Sequence, residues 1–195
     1  QREEHAVGIL ASDSRYVAGS LDVASSLKQT KFVEVCDRFH LPVAYFVDVP
    51  GFLVGPQAEA AGVLKFGSMA VKAIHQAQIP VFTVQVRRSY GLGGVATGNG
   101  NPLSMRLIWP TAAWGDMPVE GGIEAAFRAE LEAVAPEDRA SLKVKLAERF
   151  QAQTSIWKAM ENFAAEEMID PRETRKYMAR LVKLYHRRPV EGGRG

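Results

Sequence analysis

Apolar residues fall in short unbroken runs along the first half of the chain and at helical spacing along the second. His5–Ala11 is the first run and predicts a strand. Asp22 then precedes a helical stretch of about 17 residues with Phe32, Val35, Cys36 and Phe39 on one face. A short carboxylate at Asp22 suits the N-cap, where it accepts from the first free N–H groups. Pro42 ends that helix. Val43–Asp48 is a continuous apolar strand, which suggests a sheet covered on both faces. Pro50-Gly51 turns the chain, Ala58 to Gln78 reads as a helix rich in small residues, and Val81–Val86 is the next buried strand. Strand–helix–strand spacing of this kind marks βαβ units and a parallel sheet. Arg106–Trp114 reads as a further short strand. Helices follow near 119–135, 137–150, 153–167 and 171–186. The last begins with Asp170, Pro171 and Glu173 in N-cap, first and third positions, and its apolar face is Tyr177, Met178, Leu181, Leu184 and Tyr185.

Composition sharpens this division. Residues 1–110 hold 11 of the 17 glycines, whereas residues 111–195 hold 14 basic and 14 acidic side chains. Tight turns belong to the first part and solvated helices to the second. The net charge of +2 gives no electrostatic reason to expect nucleic acid or an anionic membrane. No run approaches the roughly 20 apolar residues that cross a bilayer. The polar start Gln-Arg-Glu-Glu-His has no signal-peptide pattern and no initiating Met, which fits a processed, truncated or excised chain, and the expected setting is the cytoplasm. Cys36, the single cysteine, closes no bridge within the chain and is most simply a buried thiol.

Familiar catalytic constellations are missing: no H-E-x-x-H, G-x-S-x-G, G-x-x-x-x-G-K-[ST] or C-x-x-C occurs, and His5, His40, His75 and His186 are scattered. No metal site is expected. Asp48 sits at the end of a strand, where α/β folds place ligands, or else it stabilises the turn. Arg87 and Arg88 end another strand and either bind an acid or phosphate group or form a surface pair. Two glycine loops follow strand ends: Asp48-Val49-Pro50-Gly51-Phe52 and Tyr90-Gly91-Leu92-Gly93-Gly94. Each is either a turn or a place where free N–H groups hold a developing oxyanion.

Taken in order, several segments carry more. They are Gly19–Ser25 (GSLDVAS), Phe46–Phe52 (FVDVPGF), Arg87–Gly93 (RRSYGLG), Trp109–Ala112 (WPTA) and Ile169–Arg175 (IDPRETR). Together they resemble the carboxyltransferase component (beta subunit) of biotin-dependent acyl-CoA carboxylases, in its C-terminal half, from about His5 to Tyr185. The resemblance implies an α/β fold of the crotonase-like (ClpP/crotonase) type, a ββα superhelix with additional C-terminal helices. It implies one domain over 1–195, with a helical appendage at about 119–186. The implied activity is transfer of a carboxyl group from carboxybiotin to the α-carbon of an acyl-CoA. Two negative charges then need stabilising, on the biotin ureido oxygen and on the thioester oxygen. The implied oxyanion hole for biotin is the backbone of Gly91, Leu92 and Gly93, with Asp48, Pro50, Gly51, Phe52, Tyr90 and Gly94 around the substrate. Phe52 packs on the biotin ring or fills core.

The same resemblance implies partners. Biotin rides on a separate carrier, since no A-M-K-M-like segment occurs here, and a biotin carboxylase loads it. The N-terminal carboxyltransferase half, which holds acyl-CoA, has no counterpart in these 195 residues. A homo-oligomer is expected, with the helices after residue 119 either packing subunits together or simply solvated. Two segments depart from the family. Propionyl-type members read Tyr-Gly-Gly-Ala-Tyr-Asp where this chain has Tyr90–Val95, and Pro118 replaces a glycine in Met117–Gly122. The motifs therefore do not name the acyl group. Two other readings share parts of the pattern. One is a different crotonase-superfamily enzyme acting on acyl-CoA, including a biotin-dependent decarboxylase or a hydratase, for which Glu59 and Glu120 are the acids near the loops. The other is a scaffold subunit without catalysis.

Overall fold

A computed structural model describes residues 5–115, 123, 126–153 and 156–187. Its centre is a six-stranded parallel sheet. β1 (Gly8–Ala11), β2 (Val43–Val49), β3 (Val81–Tyr90), β4 (Met105–Ile108) and β6 (Glu167–Met168) lie side by side in that order. β5 (Ala113–Gly115) pairs with the far end of β3, so β3 has β4 beside its first half and β5 beside its second.

The alternation of side chains along β2 explains its unbroken apolar run. Val43, Tyr45, Val47 and Val49 pack on one face with residues of α1 (Val23–Arg38) and α3 (Val63–Gln76). Ala44 and Phe46 pack on the other with Met178 and Val182 of α8 (Thr174–His186). A strand buried on both sides needs no polar alternation. Asp22 caps α1 as expected: its carboxylate accepts the Ser25 N–H at 2.8 Å, and Ser25 Oγ accepts the Asp22 N–H at 2.8 Å. Asp170 likewise accepts the Arg172 N–H at the 3-10 turn Pro171–Glu173 that leads into α8.

Several boundaries differ from the sequence expectations. β1 starts at Gly8 rather than His5. The helix expected over 58–78 is two helices, α2 (Pro56–Ala61) and α3, because Gly62 takes φ 86° and breaks the ladder between them. The buried face of α1 is Ser26, Gln29, Thr30, Val33 and Cys36, while Val35 and Phe39 are exposed. That face is partly polar because Gln29 has buried partners, described below. The Arg106–Trp114 strand is two strands, β4 and β5. In α8, Val182 is buried and Leu184 exposed.

The helical appendage is shorter-pieced than expected. α5 (Arg128–Glu132), α6 (Arg139–Gln153) and α7 (Ile156–Glu161) are its helices among the described residues. The stretch from 119 to 122 lies outside those residues, as do Met117–Gly122 and the glycine-rich tail. The helix expected over 153–167 stops at Glu161, and Glu167–Met168 instead joins the sheet as β6. A two-residue strand has too little pattern to read. Ile123, Leu131 and Leu146, with Phe127, Leu142 and Ala147, form a cluster of their own away from the sheet.

Candidate active site

Three of the sequence segments meet where β2 and β3 end. Gly19 has φ 87° and lies against the main-chain carbonyl of Asp48, where a Cβ would overlap that oxygen. The Leu21 N–H donates to Gly51 O at 3.0 Å, and the Leu53 N–H donates to Leu21 O at 2.9 Å. Gly93 lies over the same turn: a Cβ there would stand 2.9 Å from Val49 Cγ1 and 3.1 Å from the Gly51 Cα. The two glycine segments are thus in direct contact. C-terminal strand ends are the usual ligand side of an open parallel sheet.

Asp48 and the arginine pair also meet here. Arg88 Nε donates to Asp48 Oδ1 at 2.8 Å, and Arg87 Nη2 donates to Oδ2 at 2.7 Å. Arg88 also donates its N–H to Oδ1 and its Nη2 to Ala18 O at 2.6 Å. Burial raises the Asp48 pKa, but the hydrogen bonds from Arg88 and Arg87 outweigh it and hold the carboxyl at about 2. The carboxylate is engaged within the protein, tying Gly19, β2 and β3 together. Arg87 and Arg88 do not end the strand: β3 continues to Tyr90, and Asp48 accepts from both side chains.

What reads as a loop after Tyr90 is a single helical turn, α4 (Gly91–Val95). Three glycines in five residues hide it, since glycine is a poor helix former. Its support comes from side chains elsewhere. Gln29 Nε2 donates to Ala96 O at 2.6 Å, and Tyr45 Oη donates to Gln29 Oε1 at 3.0 Å. Thr97 Oγ1 and Arg106 Nη2 both donate to Gly94 O. Burial pushes the Tyr45 phenol far above its ordinary value, so it stays a donor. The first-turn N–H groups of a helix have no acceptor within it, and no side chain caps this one.

A cavity of about 820 Å³ opens beside α4. Gly91, Leu92 and Gly94 form one wall, Arg106 and Trp114 another, and Ser89 lies at its edge. Gly93 is not on this wall; it faces Val49 and Gly51. Phe52 is not there either. Its ring packs on α3, where a Cβ at Gly67 would come within 2.6 Å of it, and joins the core under β2. Among the described residues, no group of three or more His, Cys, Asp or Glu is placed to hold a metal ion.

The Carboxyl transferase domain model matches residues 3–192. The chain belongs to this family. The carboxyl transferase domain is 33% identical over 181 residues to the methylmalonyl-CoA carboxyltransferase 12S subunit of Propionibacterium freudenreichii subsp. shermanii, covering 92% of this chain and 34% of that one. It is 34% identical over 190 residues to the propionyl-CoA carboxylase beta chain of Roseobacter denitrificans, covering 97% and 36%. A transcarboxylase 12S crystal structure, described as a hexamer assembly with methylmalonyl-coenzyme A and methylmalonic acid bound, superposes with a TM-score of 0.84 at 31% identity, covering 97% of this chain and 37% of that one. The fold is the crotonase-like α/β fold, as the motifs implied. The chain spans about a third of the length of the relatives it matches.

The remaining motifs of the carboxyl transferase domain meet on the opposite face of the sheet. Trp109 Nε1 donates to Thr174 Oγ1 at 2.9 Å, joining WPTA to IDPRETR, and Thr111 Oγ1 donates to Val86 O. Sequence reasoning missed Arg106, Ser89 and Trp114. A lone arginine inside the apolar run Met105–Ile108 was the available signal: a charge in a buried strand needs something to face.

Proposed function

We propose that the protein containing this domain is the carboxyltransferase of a biotin-dependent acyl-CoA carboxylase, and that this chain supplies the biotin side of the active site. Biotin, on a separate carrier, brings the carboxyl group that passes to the α-carbon of the acyl-CoA. The observation that carries the reading is α4: a helical turn whose first N–H groups have no intrahelical acceptor, fixed at the end of β3 by Gly51, Gln29 and Arg106. The backbone N–H groups of Gly91, Leu92 and Gly93 hold negative charge on the ureido oxygen of the bound ring. Held in place by packing, such donors need no reorganisation as charge develops. Gly51 lies beneath α4 against Gly93, and Tyr90 stands at its N-cap. Asp48 acts at one remove, by fixing the strand ends.

The N-terminal carboxyltransferase half supplies the acyl-CoA side, a biotin carboxylase loads the carrier, and the enzyme works as an oligomer. The exposed Val144 and Trp157 of the appendage helices suit subunit packing. A cytoplasmic setting agrees with the absence, among the described residues, of a helix long and apolar enough to cross a membrane. A hydratase needs a pair of positioned acids; Glu59 is exposed on α2 and does not line the cavity, and Glu120 lies outside the described residues.

The test is Leu92→Pro in the full-length enzyme, with Leu92→Ala beside it. Leu92 is exposed, so truncation leaves turnover within a few-fold. Proline removes one donor and lowers turnover on the order of 100- to 1000-fold while thermal unfolding stays near that of the parent. Near-normal turnover in a folded Leu92→Pro enzyme sinks the assignment. Gly93→Pro is the weaker test, because its added carbons press on Val49 and Gly51.

A further inference from the structure

The cavity beside α4 holds more chemistry than an oxyanion hole requires. Arg106 reaches into it from β4. Its guanidinium lies over the Trp114 indole, 4.8 Å from the ring centroid. Nη2 donates to Gly94 O at 3.2 Å and Nη1 to Thr97 Oγ1 at 3.4 Å. A guanidinium carries five N–H donors, so three remain without an acceptor among the described residues, Nε–H included. Glu166, exposed on the cavity rim, accepts the main-chain N–H of Arg106 and draws the guanidinium electrostatically without forming an ion pair. His75, also on the rim, bonds Val95 O through Nε2. Burial lowers the Arg106 pKa to about 10, opposed by Glu166, and it remains a cation at neutral pH.

Ser89 adds a second, independent sign. It is 1% exposed, lies on the cavity wall, and its Oγ has no hydrogen-bond partner. A buried hydroxyl left unpaired is costly. Its Oγ stands 3.0 Å from where a Cβ on Gly94 would be, so glycine at 94 leaves room beside that hydroxyl. The rest of the wall includes Leu92, Val95, Met105 and the Trp114 face.

We propose that this cavity is a subsite for an organic carboxylate, with Arg106 as its cation and the Ser89 hydroxyl as its second donor. A planar guanidinium matches the two oxygens of a carboxylate, and stacking on Trp114 fixes its plane. The volume lies within the range of small-molecule sites. The apolar wall suits the carbon chain of an organic acid and offers nothing to a bare tetrahedral anion. The subsite extends the reading of α4 as an active-site element but stands without the transfer reaction, because it is tested by binding alone.

The experiment titrates the full-length protein with hexanoate, hexanamide and inorganic phosphate, read by calorimetry and by tryptophan fluorescence. Hexanoate binds at least ~10-fold more tightly than hexanamide, since a charge-assisted contact is lost in the amide. Arg106→Gln removes most of that preference. Arg106→Lys keeps part of it, and Ser89→Ala weakens hexanoate by ~3- to 10-fold. Trp114→Phe abolishes the fluorescence response while calorimetric binding persists. Equal binding of acid and amide overturns the proposal, as does phosphate binding more tightly than hexanoate, or hexanoate binding unaltered in Arg106→Gln. Should Arg106→Gln fail to fold, the acid–amide comparison on the unaltered protein decides alone. The acid–amide preference is read by binding on the unaltered protein and the transfer reading by turnover, so the failure of one does not carry the failure of the other.

Discussion

From β1 to β5, and again in α8, buried residues are set by the register of a parallel sheet, each strand position committed to one face. From Ile123 to Glu161 they are set by helices that meet in a small cluster around Leu131 and Leu146. In the first region even polar groups are placed: Asp48 between two arginines, Gln29 between Tyr45 and Ala96, glycines where backbones touch. In the second, Val144 and Trp157 are exposed, and the charged side chains lie mostly outward. Geometry carries the first region and apolar area the second. They should therefore fail differently when perturbed.

The sharpest break is Gly19→Ala. A left-handed φ costs a non-glycine residue ~1–2 kcal/mol, and a methyl against the Asp48 carbonyl adds ~1–3 kcal/mol of overpacking. Thermal unfolding should show the loss of both, spread across the whole sheet region. An unchanged midpoint would mean that the junction of Gly19 and β2 yields easily. Leu146→Ala should cost ~2–3 kcal/mol, but locally. Amide exchange should rise in α6 and leave β2 and β3 protected. If the β2 amides open as well, the two regions are one cooperative unit.

Acid sharpens the comparison further. The Asp48 carboxyl is held at about 2 in the folded state against 3.8 ordinarily. A depressed folded pKa contributes stability that is complete above pH ~4 and is lost as pH falls toward 2. Asp48→Asn should remove that part of the acid transition in urea titrations between pH 5 and 2. Asp170 is also held at about 2, by its hydrogen bonds from Arg172, but it is exposed. Its share should vanish in high salt while that of Asp48 persists. Salt that erases both would show the Asp48 cluster to be open to water. The smallest effect belongs to Cys36, 2% exposed, whose thiol burial pushes up and renders unreactive. Cys36→Ala should cost ~1 kcal/mol and leave turnover of the full enzyme intact. Lost turnover at unchanged stability would contradict a structural role.

Legibility in the sequence followed the same division. Val43–Asp48 and Val81–Val86 announced buried strands because burial on both faces leaves an unbroken apolar run. Asp22 and Asp170-Pro171 announced helix starts because capping is local. The extension of β3 through Arg87-Arg88 was not legible, since the carboxylate that accepts from both lies 39 and 40 residues away. α4 was hidden by its glycines, and its supports come from α1 and β4. At the site, motif resemblance found Gly91, Leu92 and Gly94, which line the cavity. It left Phe52 either on the biotin ring or in the core, and Gly67 opens a slot for that ring in the core. Arg106 escaped because nothing local says which way a strand residue points.

The hydrogen bonds from Tyr45 through Gln29 to Ala96 run in one direction. The phenol donates to the amide oxygen, and the amide nitrogen donates onward to the carbonyl that ends α4. Loss of ammonia from this side chain, a common form of chemical ageing, would exchange that nitrogen for an oxygen. Two acceptors would then oppose each other at 2.6 Å in a site only 2% exposed. The burial that makes the amide useful also shields it from water, so the domain's shelf life and the position of α4 depend on the same atom.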